Sequence, residues 1–258
     1  MASILKVENL RYKDILKDVT FSLEEKTFNI LVGNNGSGKT TLVKSIRGLS
    51  KYSGNIIIEN QNLENNIDLN KKIGFFVNND YLLEKSIYEE LLSFLINLDF
   101  DVETAKTRIY NITKKLGINN ILYKCQSDLN NQEKTLLSFI FSIIHDPKIL
   151  IIDNNLDSVH ETYKNKILNY IKSKKKLSVL FITNNPNYFN LADHFLFLKD
   201  GKLVSSCTID EILKNEKLFI KAGAQLPFLY ELSSKLISYG LLDDIELNIE
   251  EMVNKIWK

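Results

Sequence analysis

Apolar positions along the chain alternate between strand-like runs and helical spacing, and the switches divide it. Short apolar runs at residues 5–10, 19–23 and 28–32 have the length of strands, and 55–60 and 72–77 are further strand candidates. From residue 81 to about 144 the spacing turns helical. Ile87, Leu91, Leu92 and Leu95 recur at that spacing, as do Leu136, Leu137, Ile140 and Ile144. Strand-like runs return at 148–152 and 177–183, with a helix-like 162–172 between them. The runs 195–199 and 202–205 flank Asp200-Gly201, the best hairpin turn signal in the sequence. Helix-like pieces near 226–239 and 248–257 follow. This alternation, broken by one long helical insertion, predicts an α/β fold with a mostly parallel sheet carrying a helical lobe.

Composition narrows the choice. The chain has 258 residues, 25% charged and 44% hydrophobic, which suits one large domain, or one domain with an appendage. A net charge of +1 gives no broad basic field, so nucleic acid is not an expected partner. Cys125 and Cys207 lie far apart without metal-ligand spacing, and His145, His160 and His194 share none either. The N-terminal residues lack a charged segment followed by an apolar one, so no signal peptide is expected. Apolar stretches at 91–100 and 136–144 are interrupted and too short to span a bilayer, so any membrane role is expected through partner chains.

The chemistry concentrates in Gly33-Asn34-Asn35-Gly36-Ser37-Gly38-Lys39-Thr40-Thr41, which follows the apolar run 28–32 and leads into the helix-like 42–46. This is a phosphate-binding P-loop in its expected context. Its glycines let backbone N–H groups turn inward around an anion, and the helix N-terminus adds positive partial charge. Lys39 can reach β- and γ-phosphates, and the Thr40 hydroxyl can coordinate Mg²⁺. The motif predicts binding of a nucleoside triphosphate.

Taken together, these landmarks resemble an ABC-type ATPase over nearly the whole chain. The resemblance implies an ABC-type P-loop NTPase fold with an N-terminal antiparallel β region, ATP and Mg²⁺ as ligands, and a nucleotide-binding domain over residues 1–215. Its helical lobe would lie at about 80–145, with a C-terminal helical extension at 216–258. Tyr12, expected between the first two strands, falls where the family stacks an aromatic ring on adenine, worth ~1–3 kcal/mol. Ile149-Leu150-Ile151-Ile152-Asp153 resembles the Walker B strand, whose carboxylate holds Mg²⁺. Asp157-Ser158-Val159-His160 falls at the D-loop position. The tail, with Leu226-Pro227-Phe228, Tyr239-Gly240-Leu241 and Ile249-Glu250-Glu251-Met252-Val253, resembles the C-terminal extension of energy-coupling-factor (ECF) transporter ATPases. That likeness implies uptake of a vitamin or of cobalt or nickel ions. It also implies a paired second ATPase subunit, a transmembrane coupling subunit and a substrate-binding membrane protein. The chain would then sit in the cytoplasm against the inner face of the membrane.

The sequence departs from the family pattern at specific places. Counting back from Asp146-Pro147, the signature Leu-Ser-Gly-Gly-Gln is replaced by Leu129-Asn130-Asn131-Gln132-Glu133. Side chains at Asn131 and Gln132 should hinder close approach of a partner's nucleotide, although Asn130 can cap the helix that follows. Asn154 stands where the catalytic glutamate is expected, Asn184 at the switch histidine and Asn78 at the Q-loop glutamine. An amide accepts no proton, and general-base assistance is typically worth ~10²–10⁴ in rate. The expectation is nucleotide binding with impaired hydrolysis, in a heterodimer with an intact partner. Two alternatives remain: the ATP-binding subunit of another ABC transporter, such as a peptide exporter, and a nucleotide-dependent regulatory module that does not hydrolyse.

Overall fold

The computed structural model describes residues 2–77, 85–153, 156–214 and 228–257. In chain order the elements begin β1 (Ser3–Tyr12), β2 (Leu16–Glu24), β3 (Phe28–Val32), α1 (Lys39–Ile46), β4 (Ser53–Ile58), β5 (Gln61–Asn62) and β6 (Ile73–Val77). There follow α2 (Ile87–Asn97), α3 (Val102–Leu116), α4 (Asn131–Ile143), β7 (Ile149–Asp153), α5 (Glu161–Ser173) and β8 (Ser178–Ile182). The chain continues through β9 (His194–Lys199), β10 (Lys202–Thr208), α6 (Ile209–Lys214), α7 (Phe228–Ser238) and α8 (Ile249–Ile256). Strands pair in two sheets, ordered β2-β1-β4-β5 and β10-β9-β3-β8-β7-β6. This is the α/β architecture that the apolar pattern predicts, strands and helices alternating around a six-stranded sheet.

The chain packs as two compact units. The loop unit comprises Leu5–Leu23, Thr27–Ile57 and Leu180–Lys258, and the helical unit comprises Met1–Ile4, Glu24–Lys26 and Ile58–Val179. In the loop unit β2 alternates, with Leu16, Val19, Phe21 and Leu23 buried and the residues between them mostly exposed, as a strand with one solvated face does. β3 is buried from Asn29 to Val32 and runs parallel to β9, Asn29 opposite His194 and Val32 opposite Phe197. Fully covered strands of this kind belong inside a parallel sheet. The Asp200-Gly201 turn joins β9 to antiparallel β10, with φ of 49° and 77° at its two residues. Two successive left-handed residues match the twist of a two-residue hairpin.

In the helical unit β6 and β7 run parallel, Ile73 opposite Ile149 and Val77 opposite Asp153. Buried α4 packs on β6, and Gly74 makes the approach possible, because a Cβ there would stand 1.9 Å from the Ser142 carbonyl oxygen. Phe76, Phe139 and Tyr170 form a chain of edge-on rings 5.3 and 5.7 Å apart. Helix α2 starts with a capping box of Ser86 and Glu89, and α3 starts on Asp101 and ends at Gly117 in the left-handed conformation.

Boundaries moved for local reasons. The 55–60 strand candidate ends at Ile58, because Glu59 and Asn60 take positive φ and turn the chain into β5. Tyr12 is the last residue of β1 and does not lie between strands. The segments 63–65, 67–72 and 186–191 form 3₁₀ turns that the apolar spacing did not reveal, each started by an asparagine whose side chain accepts from a backbone N–H. Among the described residues no helix is long and apolar enough to cross a membrane.

Candidate nucleotide site

The P-loop lies within the loop unit, between β3 and α1. Helix α1 begins at Lys39, three residues before the apolar run suggested, because Gly38 takes φ 105° and serves as its N-cap without a side-chain bond. The first-turn N–H groups of that helix are therefore not occupied by a capping side chain. Gly36 also takes a positive φ, 79°. Gly33 is required for another reason: a Cβ on it would lie 2.2 Å from the Leu198 carbonyl oxygen and 2.7 Å from Ser37 Oγ. Gly38 is closed in by Leu16, whose Cδ2 would be 2.8 Å from an added Cβ.

Three neighbouring segments hold the loop in shape. The Asp200-Gly201 turn docks on it, with the Gly201 N–H donating to the Ser37 carbonyl at 3.0 Å and the Lys17 N–H donating to the Gly201 carbonyl at 2.8 Å. The turn carrying Tyr12 is closed by a 3.0 Å bond from the Ile15 N–H to the Tyr12 carbonyl, and its Ile15 and Leu16 are the residues packed against Gly38. Half-buried Tyr12 has the Lys13 ammonium 5.4 Å from its ring centroid. Asn184 arrives from the end of β8 and accepts the Gly33 N–H on its Oδ1 at 3.1 Å. Thus Tyr12, Gly33, Asn34, Asn35, Gly36, Ser37, Gly38, Lys39, Thr40, Thr41 and Asn184 share one unit.

The donors fit a phosphate ligand. Lys39 donates from Nζ to the carbonyl oxygens of Gly33 and of Asn34, the latter at 2.9 Å, so its ammonium is folded over the loop mouth. Ser37 Oγ is buried and has no hydrogen-bond partner. Two left-handed glycines, a helix start without a side-chain cap, a cation and an orphan buried hydroxyl together supply the donors of an anion cradle. Lys39 and the backbone of Gly36–Thr41 would hold β- and γ-phosphates, and the exposed Thr40 hydroxyl would meet a Mg²⁺ ion. Bound Mg·ATP would supply a phosphoryl group activated by the ion.

In the helical unit, Asp153 closes β7 with its side chain half-exposed, at the end of a buried apolar strand. Asn78, Asn154 and tail residues 215–227 lie outside the described residues. Asn130 caps α4 as expected, its Oδ1 accepting the Glu133 N–H at 2.9 Å while the Glu133 carboxylate accepts the Asn130 N–H at 3.0 Å. Glu133 also pairs with Lys124 at 3.2 Å. The side chain of Gln132 does something the sequence did not suggest. Its Oε1 accepts the His160 N–H at 2.8 Å and its Nε2 donates to the Ser158 carbonyl at 3.5 Å, tying the start of α4 to the turn 156–160. His160 in turn caps α5 through Nδ1.

An α/β sheet with parallel pairs at β3–β9 and β6–β7, and a P-loop between strand β3 and helix α1, define the class: a P-loop nucleotide-binding fold. The family described as ABC transporter matches residues 16–157, more than half of the chain, and the chain belongs to that family. A Pediococcus pentosaceus protein, Energy-coupling factor transporter ATP-binding protein EcfA, is 27% identical over 272 residues, covering 100% of this chain and 97% of its own length. The EcfA1 protein of Oenococcus oeni is 28% identical over 270 residues, covering 99% and 98%. Among solved structures, an ATP-binding subunit of an ABC transporter superposes with a TM-score of 0.77 at 22% identity, over 91% of this chain and 100% of that one. The cbiO1 protein of Clostridium perfringens, described as part of the ABC transporter complex cbiONQ, gives 0.71 at 22% identity with the same coverage. At that identity the structural likeness speaks for the fold.

Proposed function

We propose that this chain is the ATP-binding subunit of an ECF-type importer for a vitamin or a cobalt or nickel ion. It binds Mg·ATP at Gly33–Thr41 and hydrolyses it slowly on its own. It works beside a second ATPase that carries an intact signature, under a transmembrane coupling subunit and a substrate-binding membrane protein. The observation that carries the binding half is the anion cradle closed by Lys39. Support for the transporter type comes from end-to-end similarity to proteins named as ECF transporter ATP-binding subunits, the C-terminal part included. The reading of slow turnover rests on Asn154, Asn184 and Asn78 at positions where the family has a glutamate, a histidine and a glutamine.

Thermal melts of the purified chain with and without Mg·ATP test binding. Nucleotide at ~100 times its dissociation constant stabilises the fold by about 2.7 kcal/mol, and Lys39→Ala abolishes the shift. Steady-state turnover of order 1 s⁻¹ from the chain alone would overturn the hydrolysis half. Asn154→Glu separates the two defects in series: it raises turnover more in a heterodimer with an intact ATPase than in a homodimer. Co-purification with a polytopic membrane subunit and a second ATPase tests the assembly.

A further inference from the structure

We propose that Asn184 is a positioning residue for the P-loop, acting through Gly33 on Lys39 and not on the nucleotide's terminal phosphate. This role rests on the reading of Gly33–Thr41 as the nucleotide-phosphate loop, and it falls to a residue that the sequence pattern offers only as a departure from the resemblance.

Gly33 is buried, and a buried N–H without an acceptor is destabilising. Just before it, the Thr183 N–H donates to the Leu31 carbonyl at 3.2 Å, the last backbone rung linking the ends of β8 and β3. Past that rung the Asn184 side chain supplies the acceptor for the Gly33 N–H, Oδ1 at 3.1 Å from the Gly33 nitrogen. Because the donor is a backbone N–H, the amide must present its oxygen to the loop and its NH₂ away from it. The segment that carries Asn184 is itself held, the Asn185 N–H donating to Thr183 Oγ1 at 3.0 Å and the Asn185 side chain capping the 3₁₀ turn 186–191.

Gly33 is also the point where the loop's other restraints meet. Its Cα faces the Leu198 carbonyl too closely to admit a Cβ, and its own carbonyl accepts Lys39 Nζ. One peptide therefore receives Asn184 on its N–H side while the following carbonyl holds the phosphate-binding ammonium. Releasing the Asn184 bond frees the peptide to rotate and carries the Lys39 anchor with it. A defect of that kind is felt by every nucleotide whose β-phosphate sits in the loop, with or without a γ-phosphate.

Isothermal titration of the full chain with Mg·ADP and with Mg·ATP tests this. Asn184→Ala is expected to weaken both about 5- to 10-fold, by the same factor, the size of one lost hydrogen bond. Asn184→His is expected to restore most of the ADP affinity, because imidazole Nδ1 stands as many bonds from the backbone as Asn Oδ1 and can accept the same N–H. Amide exchange of Gly33 in the nucleotide-free chain is expected to quicken in Asn184→Ala and to slow again in Asn184→His. Loss of ATP affinity with ADP affinity intact would overturn the role in favour of direct contact with the terminal phosphate. Unchanged binding of both nucleotides, or unchanged Gly33 exchange, would overturn it outright. Wild-type protein that binds neither nucleotide would instead overturn the nucleotide reading and this role with it.

Discussion

Two glycines of the P-loop are required for different physical reasons, and a set of four substitutions separates them. An alanine Cβ at position 33 would stand 2.2 Å from the Leu198 carbonyl oxygen, against 3.4–4 Å for an ordinary contact, so the overlap exceeds 1 Å. The obstacle is the backbone of fully buried Leu198, next to the last residue of β9 and paired with Leu203, and it has little room to give. Overpacking costs about 1–3 kcal/mol, and a rigid obstacle puts Gly33→Ala at the upper end, ~3 kcal/mol. At position 36 an added Cβ meets nothing within 4 Å, and the cost comes from φ 79° alone. A left-handed alanine costs about 1–2 kcal/mol. Asparagine tolerates that conformation, so Gly36→Asn should recover much of the loss, whereas Gly33→Asn should be worse than Gly33→Ala. Urea unfolding of the nucleotide-free chain measures all four. Equal destabilisation by Gly33→Ala and Gly36→Ala, or an asparagine at 36 no better than an alanine, would refute the reasoning.

Asn130→Ala should cost about 1 kcal/mol by urea unfolding, because it removes the cap of α4, while Asn130→Ser should keep most of it. Hydrogen bonds from Lys148 and Lys72 hold the Glu59 carboxyl below its ordinary range, so this pairing stabilises the fold above about pH 4.5 and is lost as pH falls through the lowered value. Glu59→Gln should accordingly be less stable than wild type at pH 7, by ~1 kcal/mol, with the gap closing in acid unfolding series. Burial pushes the Cys207 thiol up to about 11, and Cys125 is exposed. Iodoacetamide at pH 8 should therefore label Cys125 rapidly and Cys207 only after unfolding, as read by intact mass.

The fold and the phosphate loop were legible because their signals are local. The strand 28–32, its loop and the Asp200-Gly201 hairpin each depend on neighbours in the sequence, and the strand and the turn stand where the apolar pattern put them. What escaped depends on partners brought together by topology. Nothing near Asn184 announces that its oxygen meets Gly33, 151 positions away, until β8 and β3 lie side by side. The start of α1 was misplaced because apolar spacing sees Leu42 and Val43 and not the left-handed Gly38 that begins the helix. Asn130 as a cap could be foreseen, since capping is a three-residue relation. The reach of Gln132 to Ser158 and His160 could not.

That reach changes what the altered signature means mechanically. A glycine at position 132 would have no side chain to make either bond between the head of α4 and the 156–160 turn. Gln132 grips the turn at two points, a carbonyl and an N–H, in opposite hydrogen-bond senses, as a bolt does with head and nut. Helix and turn are then joined through one side chain that spans both, a link carried by the residue type at 132 and not by the backbone.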